Sequence, residues 1–139
     1  MLANNPVAGD PAVRTVIADL FEWDTDERFD VVAFGFWLSH VPADRLAEFL
    51  DRVGRWLRPG GRLWYVDSLD TTALGSPALV GVDGDLHRRS LADGREFTIV
   101  KIYRTAADLT AAFGRAGIDV RVRATANHFQ YATGVRTLA

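Results

Sequence analysis

The chain contains no cysteine and a single methionine among its 139 residues. Without thiols there is no disulfide framework, no zinc–thiolate site and no cysteine nucleophile; the compartment is left open, with the cytoplasm the expected one. Charge of one sign is equally scarce. Sixteen basic residues stand against eighteen acidic ones for a net charge of −2, so no polybasic field argues for nucleic acid or an anionic membrane as a partner. No apolar run approaches the ~18 residues of a spanning helix. Met1-Leu2-Ala3-Asn4-Asn5 lacks the basic and apolar regions of a secretory leader. None of the twelve glycines falls in a G-x-G or G-K-[ST] arrangement, which excludes a dinucleotide loop and a P-loop. His40, His87 and His128 form no H-x-x-x-H or H-x-E pairing, so no metal site is expected. Ser39 precedes His40, but strand neighbours face opposite ways and no G-x-S-x-G elbow exists, which argues against a hydrolase.

What is present suits one globular domain spanning residues 1–139, with 48% hydrophobic residues. Residues 1–14 are polar and end in a turn at Gly9-Asp10-Pro11. Thr15–Asp19 is a short β-branched run that predicts a strand. Phe29–Trp37 is apolar on consecutive positions after Asp30, the pattern of a central strand covered on both faces. Leu46, Phe49, Leu50, Val53, Trp56 and Leu57 then recur at helical spacing, opposite a charged face with Glu48–Arg52 and Asp51–Arg55 as i,i+4 pairs. Pro59-Gly60-Gly61 is expected to end that helix, and Arg62–Asp67 to form the next strand of a βαβ unit. Residues 68–95 carry no period and predict a long loop. Glu96–Arg104 reads as a strand, and Thr105 with Asp108 as a capping box opening a helix that Gly117 ends. Ile118–Ala124 and Asn127–Gly134 read as a closing hairpin. Asp19, Phe34–Trp37 and Asp67 fall at the carboxyl ends of predicted strands, where open α/β sheets bind ligands. Each has a plainer role available: an aspartate after a strand is commonly a turn former, and a run of aromatics commonly core. The four tryptophans, Trp23, Trp37, Trp56 and Trp64, are expected to divide between core and site edge.

Three stretches carry a resemblance: Ala18-Asp19-Leu20-Phe21-Glu22-Trp23, then Arg28–Pro42 with its F-D-V-V…H-V-P, then Leu57-Arg58-Pro59-Gly60-Gly61-Arg62-Leu63. In order and spacing they are similar to successive motifs of the class I S-adenosylmethionine-dependent methyltransferases. Arg104–Leu109 and Ala116-Gly117-Ile118 resemble that family's last helix and its exit into the closing hairpin. The resemblance implies an α/β fold, a partial doubly wound, Rossmann-like sheet with an antiparallel C-terminal hairpin. It also implies methyl transfer from S-adenosylmethionine to a small-molecule acceptor. Asp19 and Leu20 match the position that meets the adenine, and Phe34, Gly35 and Phe36 the strand end that lines the cofactor. His40 matches a histidine that faces the substrate or fixes the loop, the candidate general base; residues 68–95, with His87, Arg88 and Arg89, would cover the substrate side unless those charges form a solvated face.

The family's pattern begins with a strand running into D-x-G-x-G-x-G and a second strand ending in a ribose-binding acid, and this sequence has neither. The expectation is therefore a chain without the first two strands of the family fold, with impaired cofactor binding. Two further alternatives follow: a catalytically inactive fragment serving as a dimerising or partner-binding module through an exposed sheet edge, or an enzyme whose start was placed too late. Leu20–Arg28 is short for a parallel crossover, which favours pairing of Phe29–Trp37 with a second chain in a homodimer.

Overall fold

The computed structural model describes residues 9–70 and 79–137. Its main sheet has the order β1-β2-β7-β6, with β1 at Phe29–Gly35, β2 at Leu57–Ser68, β6 at Ile118–Ala124 and β7 at Phe129–Arg136. β1 and β2 are parallel and joined by helix α1, Leu46–Trp56; β2–β7 and β7–β6 are antiparallel. This is the expected βαβ unit followed by the closing hairpin. A second, antiparallel sheet is built from β3, Leu79–Asp83, β4, Leu86–Ser90, and β5, Glu96–Val100. Helix α2, Ala106–Arg115, follows β5 and precedes β6 in sequence.

The core follows from periodicity. α1 offers Phe49, Leu50, Val53 and Trp56, and α2 offers Leu109, Ala112 and Phe113. Both stripes close over Leu63 and Tyr65 of β2, Ile118 and Val120 of β6 and Ala132 of β7. Tyr65 stacks between Phe34 and Phe113, with ring centroids 5.9 and 5.5 Å away. Thr105 caps α2 as its sequence predicts, its hydroxyl oxygen accepting from the Asp108 amide at 3.1 Å. Gly117, at φ +72°, follows the helix end, where an L side chain would be strained.

Five expectations require correction. Thr15–Asp19 is not a strand: it pairs with nothing among the described residues and lies exposed, Ile17 at 85%, because β propensity without a neighbouring ladder does not hold a strand. Phe29–Trp37 is not a central strand. β1 ends at Gly35 and occupies the edge of the sheet, and its face bearing Val31, 57% exposed, is uncovered by described residues. Residues 68–95 are not one loop, since they contain β3 and β4; residues 71–78 of that stretch lie outside the described residues. α1 ends at Trp56, three residues before Pro59, and β2 starts at once. Arg58-Pro59-Gly60-Gly61 instead forms an irregularity in the ladder, facing Asp30 alone between the pairs Phe29↔Leu57 and Val31↔Arg62. Gly60 sits there at φ +76°, and Asp30 closes the turn on Arg58 at 2.7 Å. Finally, Glu48 and Arg52 pair at 3.0 Å as expected, but Arg55 turns to Asp24 at 3.4 Å and not to Asp51.

Residues 19–28, irregular in backbone, are tied down by side chains. The Trp56 indole donates to Asp24 at 2.9 Å, Arg52 donates to the Trp23 carbonyl at 2.9 Å, and Phe21 packs on Trp37 and Phe49. The segment after Asp19 is thereby held against the end of β1.

Candidate functional site

β1 and β2 end side by side, Gly35 opposite Val66, and the chain turns sharply there: the Phe36 amide donates to the Val66 carbonyl at 2.8 Å, with Phe36 at φ +55°. A bulky residue in the left-handed region costs energy and marks a constrained turn. The turn throws the Phe36 ring outward, where it meets exposed Phe129 edge-on at 5.8 Å. Trp37 follows, its indole N–H buried and without an acceptor among the described residues. Leu38–His40 then forms one 3₁₀ turn.

That turn is fastened on three sides. Asp67, 1% exposed near the end of β2, accepts the Ser39 amide at 2.8 Å, the Ser39 hydroxyl at 2.7 Å and the Ser68 amide at 2.7 Å. The Lys101 ammonium, 9% exposed, donates to the Ser39 hydroxyl oxygen at 2.8 Å and stands 3.9 Å from the Asp67 carboxylate. Arg104 donates to the carbonyls of Leu38 and Val41. Burial holds the Lys101 and Arg104 cations below their ordinary pKa, partly opposed by nearby carboxylates, Asp67 for Lys101 and Asp85 then Asp67 for Arg104. Burial pushes the Tyr65 and Tyr103 hydroxyls up, and the Asp67 charge adds to both.

His40 has a defined tautomer. Its Nδ1 lies 2.7 Å from the Val100 carbonyl oxygen, which can only accept, so Nδ1 carries the proton and neutral His40 keeps its Nε2 lone pair. Nε2 takes no partner from the described residues.

The remaining sequence candidates fall as follows. Asp19 uses Oδ1 to accept the Phe21 amide at 2.8 Å, and its carbonyl accepts from Glu22 and Trp23, so it does form a turn. Its Oδ2 and the Leu20 amide are unpaired among the described residues. Leu20 also lines, with Arg14, Val16, Ala18, Trp23, Glu27 and Phe29, a cleft of about 600 Å³. Phe34 packs into the core against Phe49 and Tyr65. Gly35 is exposed at the strand end, where an added Cβ would stand 3.2 Å from Val66. His87, Arg88 and Arg89 lie on β4, not in a loop. Trp56 is buried, Trp23 and Trp37 pack beside the core, and Trp64 is exposed on the open sheet face. Lys101 and Arg104 went unmarked in the sequence; the available signal was a lysine in the apolar phase of the alternation Phe97, Ile99, Lys101, Tyr103. No helix among the described residues is long and apolar enough to cross a membrane, and among them no group of three or more His, Asp or Glu is placed to hold a metal.

A family model described as a methyltransferase domain matches residues 1–65. Among solved structures, DhpI in complex with SAH is 36% identical, with a TM-score of 0.67 over 88% of this chain and 54% of that one. The DhpI–SAM–HEP complex gives 36% identity and a TM-score of 0.69 over 84% and 55%. An S-adenosylmethionine-dependent methyltransferase from Mesorhizobium loti, 18% identical, shares the fold with a TM-score of 0.69 over 98% of this chain and 76% of that one. So does 1,6-didemethyltoxoflavin-N1-methyltransferase from Burkholderia thailandensis, 20% identical, TM-score 0.54 over 88% and 50%, which was solved with 1,6-didemethyltoxoflavin and S-adenosylhomocysteine. The chain spans about half the length of DhpI. No curated protein matches it.

Proposed function

We infer that this chain, which belongs by fold and by the sequence of its first 65 residues to the class I S-adenosylmethionine-dependent methyltransferases, takes part in methyl transfer to a small-molecule acceptor. The observation that carries the reading is His40: an imidazole in the turn that follows β1, with Nδ1 committed to a backbone carbonyl and Nε2 without a partner among the described residues. When bound, S-adenosylmethionine supplies an electrophilic methyl group on a sulfonium centre. His40 Nε2 would take the proton of the acceptor's hydroxyl or amine, leaving that atom's lone pair available to the methyl group the cofactor would supply. Such proton acceptance contributes roughly 10²–10⁴-fold where the acceptor is weakly acidic, and positioning supplies the rest.

The residues present fit part of this cofactor. Asp19 Oδ2 and the Leu20 amide, unpaired among the described residues, offer one acceptor and one donor, the pair of groups an adenine edge requires. Gly35 and Phe36 offer an exposed strand end and a ring for its apolar portion. Phe34 would act from beneath, as packing. No glycine-rich stretch offers the close backbone approach that the amino-acid end requires. Affinity, and with it turnover, is accordingly reduced in this chain. The test is a methyl-transfer assay with a panel of small-molecule hydroxyl and amine acceptors. Slow transfer that His40→Gln lowers by about 10²-fold or more supports the role; transfer unaffected by His40→Gln removes it.

A second reading is favoured by the outer edge of β1, which has no strand partner among the described residues. Phe29 of β1 lines a cleft together with Arg14, Val16, Ala18 and Leu20, alternate residues of a segment that forms no ladder with β1 among the described residues. An open, largely uncharged edge accepts a strand from another chain, here a second copy. Sedimentation over a concentration series checks it: association that Val31→Lys suppresses supports a homodimer, and a monomer at high concentration rejects it.

A further inference from the structure

The buried ammonium of Lys101 has no place in the proton transfer assigned to His40, yet it is built into the same turn. Ser39 and His40 are consecutive, and so are Val100, Lys101 and Ile102. The two short segments meet through three bonds. His40 Nδ1 donates to the Val100 carbonyl at 2.7 Å, the Ile102 amide donates to the Ser39 carbonyl at 2.8 Å, and Lys101 Nζ donates to the Ser39 hydroxyl oxygen at 2.8 Å. The Ser39 hydroxyl in turn donates to the Asp67 carboxylate at 2.7 Å. A hydroxyl has one proton and two lone pairs, so cation on one side and carboxylate on the other give it a single orientation. A bare ion pair at this depth would add little stability over apolar side chains of the same volume; what it supplies is fixed geometry.

We propose that Lys101 is a positioning residue for His40: through the Ser39 hydroxyl and the Asp67 carboxylate it locks the turn against β5, so that the Val100 carbonyl stays on Nδ1 and Nε2 is presented unprotonated. The proposal rests on the reading of His40 as the proton acceptor. Without the lock the turn would still form, since Arg104 holds the Leu38 and Val41 carbonyls. The imidazole would then be free to rotate away and exchange between its two tautomers.

Nitrogen-15 spectra of the His40 ring in the full chain, recorded above the histidine titration range, read this directly. In the wild type, Nδ1 is expected at a pyrrole-type and Nε2 at a pyridine-type shift. In Lys101→Met and in Ser39→Ala the separation should collapse toward an averaged pair. Ser39→Ala removes only the relaying oxygen and keeps both charges, so it carries the test if Lys101→Met does not fold. Folded variants that keep the wild-type pattern overturn the proposal, and so does a wild-type ring protonated on Nε2. The spectra need no cofactor or acceptor: unimpaired transfer by His40→Gln would refute the proton-acceptor role while leaving the lock itself to be judged by the ring shifts.

Discussion

The carboxylate of Asp67 takes both the amide and the hydroxyl of Ser39, at 2.8 and 2.7 Å, from the neighbouring strand end. Buried as it is, that carboxylate is stable only with its partners in place, and Lys101 is its counter-charge. Lys101→Met should therefore cost about 3–5 kcal/mol, the usual penalty for leaving one charge of a buried pair alone. The double variant Lys101→Met/Asp67→Asn should recover most of it. Urea unfolding of the three chains checks this; a double variant no better than the single would show that charge pairing is not what the site requires.

Tyr65 presents the reverse situation. Its hydroxyl is buried with no hydrogen-bond partner among the described residues, and burial followed by the Asp67 charge raises its pKa. Removing the unsatisfied group in Tyr65→Phe should stabilise the fold by about 1 kcal/mol. The raised pKa also fixes a pH dependence. An acid that ionises less readily in the folded state contributes stability fully below its unfolded pKa, about 10, and loses it as pH rises above that value. Thermal melts between neutral pH and pH 11 should show a steeper alkaline decline for the wild type than for Tyr65→Phe. Parallel declines would contradict the assignment.

At the start of β2, an added Cβ on Gly61 would stand 2.8 Å from the Arg58 carbonyl oxygen and 3.1 Å from that of Phe29. Both are backbone atoms that cannot swing aside. Gly61→Ala should destabilise by about 1–3 kcal/mol, visible as a lower denaturation midpoint with an unchanged slope. An unshifted midpoint would mean that the irregular ladder there adapts freely.

The helices, the βαβ unit and the closing hairpin were legible because each rests on a local signal: the 3.6-residue stripe of Phe49, Leu50, Val53 and Trp56, the Thr105–Asp108 cap, and the two strand-forming runs after Gly117. β3 and β4 were not, because Gly81, Asp83 and Gly84 interrupt them and β4 buries little apolar surface. Thr15–Asp19 has strand-forming residues but no ladder to join, and nothing in its own composition reports that. The candidate site divides the same way. Asp67 was visible as a polar residue at a strand end and His40 through the family resemblance, whereas Lys101 is brought to Ser39 by a contact spanning 62 residues that no local pattern encodes.

The central claim, that this chain holds S-adenosylmethionine at the end of β1 through Asp19 and Leu20, is tested most directly by titration calorimetry with S-adenosylmethionine. Wild type, Asp19→Ala and Asp119→Ala should be compared. The account predicts one-to-one binding weaker than micromolar, because no glycine-rich loop is present. Asp19→Ala should weaken it by a further ~1.5–3 kcal/mol, the loss of one charge-assisted hydrogen bond, and Asp119→Ala, at an exposed position of β6, much less. A micromolar isotherm, no binding at all, or equal losses in the two variants would contradict it.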